Sequence, residues 1–235
     1  MKRIIVFSGA GMSAESGLKT FRDSGGLWEE HKVEDVATPE AWKSNPELVL
    51  KFYNMRRNQV LNAQPNKAHL ALKELENAYN VIVITQNIDD LHERAGSTNV
   101  IHLHGEILKA RSERSPSIIQ DLKDDLKLGD LAEDGHQLRP NIVWFGEEVP
   151  MFFNASSLMN TADILIIIGT SLNVYPAAGL IYQVKQGIPV YFIDPSDINN
   201  PGLPNLKILQ ENASLATPKL VNQLLQEAVY ETKGN

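Results

Sequence analysis

Five short stretches of the chain are apolar almost without interruption: IIVFSG (4–9), NVIVIT (80–85), NIVWFG (141–146), ILIIIG (164–169) and PVYFID (189–194). Runs of this length, rich in β-branched residues and lacking polar alternation, predict strands covered on both faces. VIHLHG (100–105) predicts a shorter strand. Between them apolar positions recur at helical spacing, which predicts helices over 46–62, 66–78, 173–186 and 217–229. In the first of these, Pro46 suits a first helical position after Ser44 or Asn45 as cap, and Leu48, Val49, Phe52 and Met55 form the apolar face. Strands alternating with helices predict an α/β fold built on a mostly parallel sheet with helices on both faces.

Two segments break the alternation. Residues 23–79 place a long, mainly helical stretch between the first two strands, and residues 106–140 are polar and charged, with LKDDLKLGDLAEDG at their centre. Together they read as a small inserted domain resting on the sheet; a flexible surface excursion is the other reading of 106–140. No repeat and no low-complexity tract is present.

Composition narrows the function classes. A net charge of −7 argues against a general nucleic-acid binder. With no cysteine in the chain, disulfides and thiolate metal sites are excluded. The opening MKRIIVFSGAGMS carries too brief an apolar run for a signal peptide, and Ile164–Ile168 is too short to span a bilayer. Mean hydropathy of −0.22 is ordinary for a globular chain, and a cytoplasmic protein is expected.

Candidate chemistry begins at GAGMSAESG (9–17), directly after the first strand. Gly9, Gly11 and Ala14 keep the G-x-G-x-x-A spacing of a dinucleotide loop, where side chains would keep the backbone from a pyrophosphate. Ser13, Glu15 and Ser16 can cap the helix that follows. Standing alone the motif is weak, and an unrelated tight turn explains it better. A plain nicotinamide dehydrogenase would carry an acid about twenty residues on, at the end of a second strand. That region is DSGGLWEEHKVED, which is no strand; Asp194, ending PVYFID, is the better ribose acceptor, or else a turn former before Pro195.

Four further segments, SGLKTFRD (16–23), TQNIDDLHERAG (85–96), HLHGE (102–106) and GTSLNVYPAAGL (169–180), join GAGMSAESG and NIVWFGEEVP (141–150). In this order the six motifs resemble the sirtuin signature set over nearly the whole chain. The resemblance implies an NAD-dependent protein-lysine deacylase. It also implies a Rossmann-like domain (1–25, 75–105 and 141–235) and a small domain (26–74 and 106–140). His104 matches the family's general base, and an imidazole titrating near neutrality suits removal of a ribose proton. Asn87 and Asp89 match the catalytic pair that holds the nicotinamide ribose and carboxamide. Gly9, Ala10, Gly11, Ser13, Glu15, Phe21, Arg22, Gln86, Gly169, Thr170, Ser171, Asp194 and Ala213 complete the implied cofactor set; many sirtuins carry Asn where Asp194 stands. His69, His92 and His102 are expected to be structural. Val143, Phe145, Gly146, Glu147 and Val174 lie in the two segments (143–147 and 173–175) that clamp a substrate peptide by strand addition. The implied reaction uses no enzyme nucleophile: the acyl oxygen attacks NAD, and the products are free lysine, nicotinamide and O-acyl-ADP-ribose.

Sirtuins usually carry two cysteine pairs between the HGE and WFGE segments. RSERSPS and LAEDGHQLRP occupy that region here, and His136 with scattered carboxylates makes a poor ligand set. NAD without zinc is therefore expected, with Ile118, Ile119, Leu122, Leu126 and Leu131 holding the segment by apolar contacts. The Y-x-x-R spacing of Tyr53 and Arg56 resembles the acyl pocket of the desuccinylase and demalonylase branch. Arg offers a planar donor fork suited to a carboxylate, and Tyr adds a donor. Ala37–Trp42 is expected to line the same pocket, and Arg57 to face solvent. Protein substrates carrying acyl-lysine, and a monomeric enzyme, follow from the resemblance. A general deacetylase, a mono-ADP-ribosyltransferase on the same NAD site and an NAD sensor without turnover are the alternatives. A hydrolase with Ser13 as nucleophile lacks the G-x-S-x-G elbow.

Overall fold

The computed structural model describes residues 1–19, 27–28, 31–197 and 200–233. The chain runs β1 (Arg3–Ser8), α1 (Gly11–Ala14), β2 (Leu27–Trp28), β3 (His31–Lys32), α2 (Val33–Val36), α3 (Pro39–Ser44), α4 (Pro46–Asn62) and α5 (Lys67–Leu75). It continues through β4 (Asn80–Thr85), α6 (Leu91–Arg94), β5 (Val100–His102), β6 (Gly105–Ser112), β7 (Ile119–Asp121) and β8 (Leu138–Ile142). It ends with α7 (Phe152–Met159), β9 (Ile164–Ile168), a 3-10 helix (Ala177–Gln183), β10 (Val190–Ile193), β11 (Leu206–Leu209) and α8 (Ala213–Lys233).

Six strands pair in parallel in the order β11-β10-β9-β1-β4-β5. The chain winds outward from β1 to β5, then returns to β1's other side and winds outward again. That reversal leaves a crevice beyond Ser8 and Ile168, which are register partners at the carboxyl ends of β1 and β9. The uninterrupted apolar strands serve two cores through the pleat. Ile4, Val6, Val81, Val83, Ile164 and Ile166 pack on Leu72 and Leu75 of α5 and Leu220 and Leu224 of α8. Ile5, Phe7, Ile82, Ile84, Leu165 and Ile167 pack on Ala155 and Met159 of α7 and Leu180 and Ile181 of the 3-10 helix.

A separate antiparallel sheet, ordered β7-β6-β8, is formed within the second irregular segment. It rests on α4 through two clusters. One joins Phe52, Tyr53, Ile107, Ile142 and Trp144; the other joins Leu50, Ala110, Leu122, Leu126 and Leu138. The α4 boundaries are those its sequence predicts: Asn45 Oδ1 accepts from Leu48 N at 3.1 Å, and Pro46 occupies the first turn.

Several expectations change. The 141–146 run contributes no strand to the large sheet; Leu138–Ile142 forms β8 against β6, and its apolar side chains are consumed by the α4 core. Residues 105–112 and 119–121 form strands rather than a flexible excursion; a register shift between Gly105 and Ala110 breaks the alternation of β6 and hides it. The 173–186 helix reduces to the 3-10 helix. Leu122 and Leu126 are buried as expected and Ile118 partly so, but Ile119 and Leu131 are exposed. Arg57 is 1% exposed and not solvated: Nε donates to Ile107 O at 3.0 Å, and Nη1 to Asn54 Oδ1 at 2.7 Å and Asp124 O at 3.3 Å. Among the described residues no helix is long and apolar enough to cross a membrane.

Candidate active site

A cleft of about 550 Å³ opens at the crevice beyond β1 and β9. Two loops form its floor. Gly9 N donates to Ile168 O at 2.9 Å and Gly11 N to Gly169 O at 2.8 Å. The packing of these loops gives the glycines a further steric reason. A Cβ on Gly9 would sit 2.8 Å from Gly169 O, and one on Gly169, whose φ is +62°, would sit 2.2 Å from Met12 N. Their missing side chains let the two loops lie against each other, and that contact shapes the floor. The helix after the motif is a single turn without a side-chain cap. Ser13 Oγ instead donates to Asp89 Oδ2 at 2.9 Å, Glu15 Oε2 accepts from Ser214 N of α8 at 2.9 Å, and Ser16 Oγ accepts from Asn66 Nδ2 at 3.1 Å.

The loop after β4 supplies the next layer. Asn87 Nδ2 donates to Ser13 Oγ at 3.1 Å, and Asp89 Oδ1 accepts from Leu91 N at 3.1 Å. Burial raises the Asp89 carboxyl above the usual carboxylate range, against the hydrogen bonds from Leu91 and Ser13 that favour its ionised form. Gln86 Nε2 donates to Thr170 Oγ1 at 3.1 Å and so ties this loop to the one after β9. Behind it, His92 Nε2 lies 3.0 Å from Ser8 Oγ, Ser8 Oγ donates to Thr85 Oγ1 at 2.9 Å, and Thr85 Oγ1 accepts from Asn87 N at 3.0 Å.

His104 reaches the cleft from the residue before β6. Its Nδ1 lies 3.0 Å from Gln86 O, so Nδ1 carries the hydrogen in the neutral ring and Nε2 keeps a lone pair. Burial lowers its pKa, with the Gln86 contact opposing. At the far end of the crevice Asp194 is 2% exposed and accepts from Ser196 N at 3.0 Å and from the Ser196 hydroxyl.

The opposite wall is the segment after β8. Val143 N donates to His104 O at 2.9 Å and Phe145 N to Ala37 O at 3.0 Å. Glu147 turns away from the cleft centre: it accepts from Arg139 Nη1 at 2.6 Å, from Arg111 Nη2 at 3.3 Å and from Trp144 N at 2.8 Å. Burial would raise the Glu147 carboxyl, and these hydrogen bonds and charges hold it below its ordinary value. The Arg139 guanidinium lies 3.3 Å over the Trp144 ring. Trp144 Nε1 in turn donates to Tyr53 OH at 3.0 Å. Arg139 and Trp144 carry no motif of their own beyond WFGE, and nothing in spacing alone marks them.

Gly9, Ala10, Gly11, Ser13, Glu15, Gln86, Asn87, Asp89, His104, Gly169, Thr170, Ser171, Asp194 and Ala213 line the floor and crevice side of the cleft, whereas of the Ala37–Trp42 stretch only Ala37 reaches it. Tyr53, Arg56, Val143, Phe145, Gly146, Glu147 and Val174 line the other side, with Ala37 beside them. Phe21 and Arg22 lie outside the described residues. The cleft's position at a strand-order reversal, its apposed glycine loops and a buried acid at its far end fit a dinucleotide.

A profile of the Sir2 family matches residues 9–176. The chain is 54% identical over 232 residues to an NAD-dependent protein deacylase of Helicobacter pylori (strain J99 / ATCC 700824), covering 98% of this chain and 99% of that one. It is 52% identical over 231 residues to an NAD-dependent protein deacylase of Bacteroides thetaiotaomicron, covering 96% and 99%. The crystal structure of a Sir2 homolog–NAD complex superposes with a TM-score of 0.87 at 39% identity, over 97% of this chain and 91% of that one.

Proposed function

The chain belongs to the Sir2 family and is an NAD-dependent protein deacylase, and we propose that it prefers lysines whose acyl group ends in a carboxylate, succinyl or malonyl, over acetyl-lysine. The observation that carries this reading is the pairing of Tyr53 and Arg56 on the cleft-facing side of α4. Arg56 is 6% exposed, and its Nη1 donates to Gln59 Oε1 at 3.2 Å and Lys19 O at 3.5 Å. A carboxylate arriving in the cleft meets a desolvated guanidinium, where a charge-assisted pair is strongest. Tyr53 OH accepts from Trp144, which leaves its own hydrogen to donate, and burial keeps the phenol protonated.

NAD, when bound, supplies an electrophilic anomeric carbon with nicotinamide as leaving group, and the acyl group departs as O-acyl-ADP-ribose. His104 receives the proton of a ribose hydroxyl at Nε2, with Nδ1–H held on Gln86 O throughout. Asn87 and Asp89 orient the nicotinamide half, and their mutual link through Ser13 keeps both amide and carboxylate at fixed directions. Gly9–Gly11 and Gly169–Ser171 cradle the phosphates, and Asp194 accepts from the second ribose. Val143–Glu147 and Asn173–Tyr175 flank the extended peptide.

The test compares kcat/KM with NAD on one peptide carrying acetyl, succinyl or malonyl lysine, in the wild type and in Arg56→Met. The acidic acyl groups are expected to win, and Arg56→Met to lose at least about tenfold on them while retaining acetyl turnover, the scale of one charge-assisted hydrogen bond. Preference for acetyl in both proteins would leave a general deacetylase.

A further inference from the structure

The zinc module of the family has two cysteine pairs, and this chain's counterpart keeps their spacing without their chemistry. Between His104 and Trp144, Ser112 and Ser115 stand three apart, as do Leu131 and Asp134, the interval of a Cys-x-x-Cys ligand pair. Two neutral hydroxyls, one carboxylate and a leucine that is 57% exposed do not fit zinc, which takes thiolate and imidazole donors in closed tetrahedral sites. Among the described residues no group of three or more His, Cys, Asp or Glu side chains is placed to hold a metal ion.

The same positions are joined by direct hydrogen bonds. Ser112, fully buried, donates to Asp134 Oδ2 at 2.7 Å and accepts from Arg114 N and Ser115 N, both at 3.2 Å. Asp134 Oδ1 also accepts from His136 N at 3.2 Å. Arg114 Nη1 lies 3.2 Å from His136 Nε2, and His136 Nδ1 lies 3.0 Å from Asp134 O. Around them Glu113 N donates to Gln137 O at 3.0 Å, and Leu131 bridges Gln137. Two loops that a metal would cross-link are thus cross-linked by one carboxylate and one hydroxyl, which the Ser115 amide also holds.

We propose that Asp134 and the Ser112 hydroxyl, held by the Ser115 amide, form a metal-free clasp in place of a zinc site, and that Asp134 is through it a positioning residue for the substrate side of the cleft. The path is short. Ser112 pairs with Leu138, and the next register pair inward is Arg111 with Arg139. Both arginines end on Glu147, and Glu147 holds the Trp144 amide in the cleft wall. The clasp therefore fixes the end of the β6–β8 ladder from which the two arginines reach Glu147. The floor of the cleft, on β1, β4 and β9, shares none of these bonds.

The test uses the full chain. Zinc content, measured by atomic absorption, and melting temperature, with and without a strong zinc chelator, are read for the wild type. KM for acyl-peptide and KM for NAD are read separately for Asp134→Ala and Asp134→Asn. The wild type is expected to hold no stoichiometric zinc and to melt at the same temperature with chelator. Asp134→Ala is expected to raise KM for peptide about threefold or more while KM for NAD stays within about twofold, and Asp134→Asn to recover part of the loss. Should Asp134→Ala not fold, the variant with Ser112→Cys, Ser115→Cys, Leu131→Cys and Asp134→Cys decides: uptake of one zinc per chain with recovered folding supports the clasp. One zinc per wild-type chain, a melting temperature lowered by chelator, an unchanged peptide KM in Asp134→Ala, or a four-cysteine variant that zinc does not rescue would each overturn it. The acyl-group comparison above is independent of every one of these readings.

Discussion

His102 and His104 stand two residues apart and lean on adjacent carbonyls of the same loop, Asn87 O and Gln86 O, yet their protonation is driven in opposite directions. His102 also meets Glu93 Oε1 at 2.8 Å; burial disfavours its charge, but the Glu93 hydrogen bond and charge outweigh it and raise the pKa. At His104 burial outweighs the Gln86 contact and lowers the pKa below the ordinary 6.5. The His102 ring thus holds a proton more tightly than a free imidazole, and the His104 ring less tightly.

That difference predicts the acid limb of the reaction. As the proposed base His104 acts only when neutral, so kcat/KM is expected to fall tenfold per pH unit in acid with an apparent pKa below 6.5. His104→Asn should remove most turnover while binding of NAD, followed by calorimetry, survives. An acid limb centred above 6.5 would contradict the assignment of the base.

Stability should also fall in acid, through His69 and His92. The two rings meet edge to face with centroids 4.9 Å apart, and both are fully buried. Burial lowers His69 to about 4 and His92 well below 6.5. Because the folded-state pKa is the lower one, the unfolded chain binds protons first. Stability is complete above 6.5 and is lost as pH falls from there toward 4. For His69 alone the loss is roughly 3 kcal/mol at the acid end of that window. Urea unfolding at several pH values checks this, and His69→Gln should flatten the dependence.

Gly169→Ala is expected to damage both fold and cofactor affinity. Its φ of +62° disfavours any Cβ, and that Cβ would lie 2.2 Å from Met12 N. The left-handed conformation alone costs about 1–2 kcal/mol, and separating the two loops adds to it. Gly187→Ala is the control, since φ is +85° there but nothing stands within 4 Å of the new Cβ. Melting temperature and KM for NAD should both move in the first variant, and melting temperature alone in the second.

Glu147→Gln tests the opposite wall. Its loss leaves Arg139, with a side chain 8% exposed, without the carboxylate it donates to at 2.6 Å. Breaking such a pair costs about 2–4 kcal/mol, toward the lower end here because the Glu147 side chain is 20% exposed. Thermal melting should show the loss, and KM for peptide should rise more than KM for NAD.

The fold was legible where burial is simple. Strands β1, β4, β9 and β10 are apolar on both faces, so their runs announce them, and Asn45 with Pro46 marks the start of α4. The Gly, Asn, Asp and His residues that line the cleft were legible as ordered motifs, because each stands at the end of such a strand or in the loop after it. Illegible were the features set by partners distant in sequence. Strand β6 carries a register shift that scrambles its alternation. Arg57 looks like a surface cation until Ile107 O and Asp124 O, both far along the chain, are brought to it. The Gly9–Gly169 contact is likewise invisible locally, since the atoms that forbid a Cβ belong to another strand's loop.

Helix α4 places two residue pairs of the same i,i+3 spacing one position apart. Tyr53 and Arg56 line the cleft; Asn54 and Arg57 bind the backbone of residues 107, 124 and 126 on the helix's other flank. On the acyl-recognition reading proposed above, an exchange at Arg56 alters what the cleft recognises and leaves the neighbouring anchors bonded as before. Substrate choice and scaffold are thereby separable on one helix, which gives the enzyme's selectivity room to drift under natural selection without a matching loss of architecture.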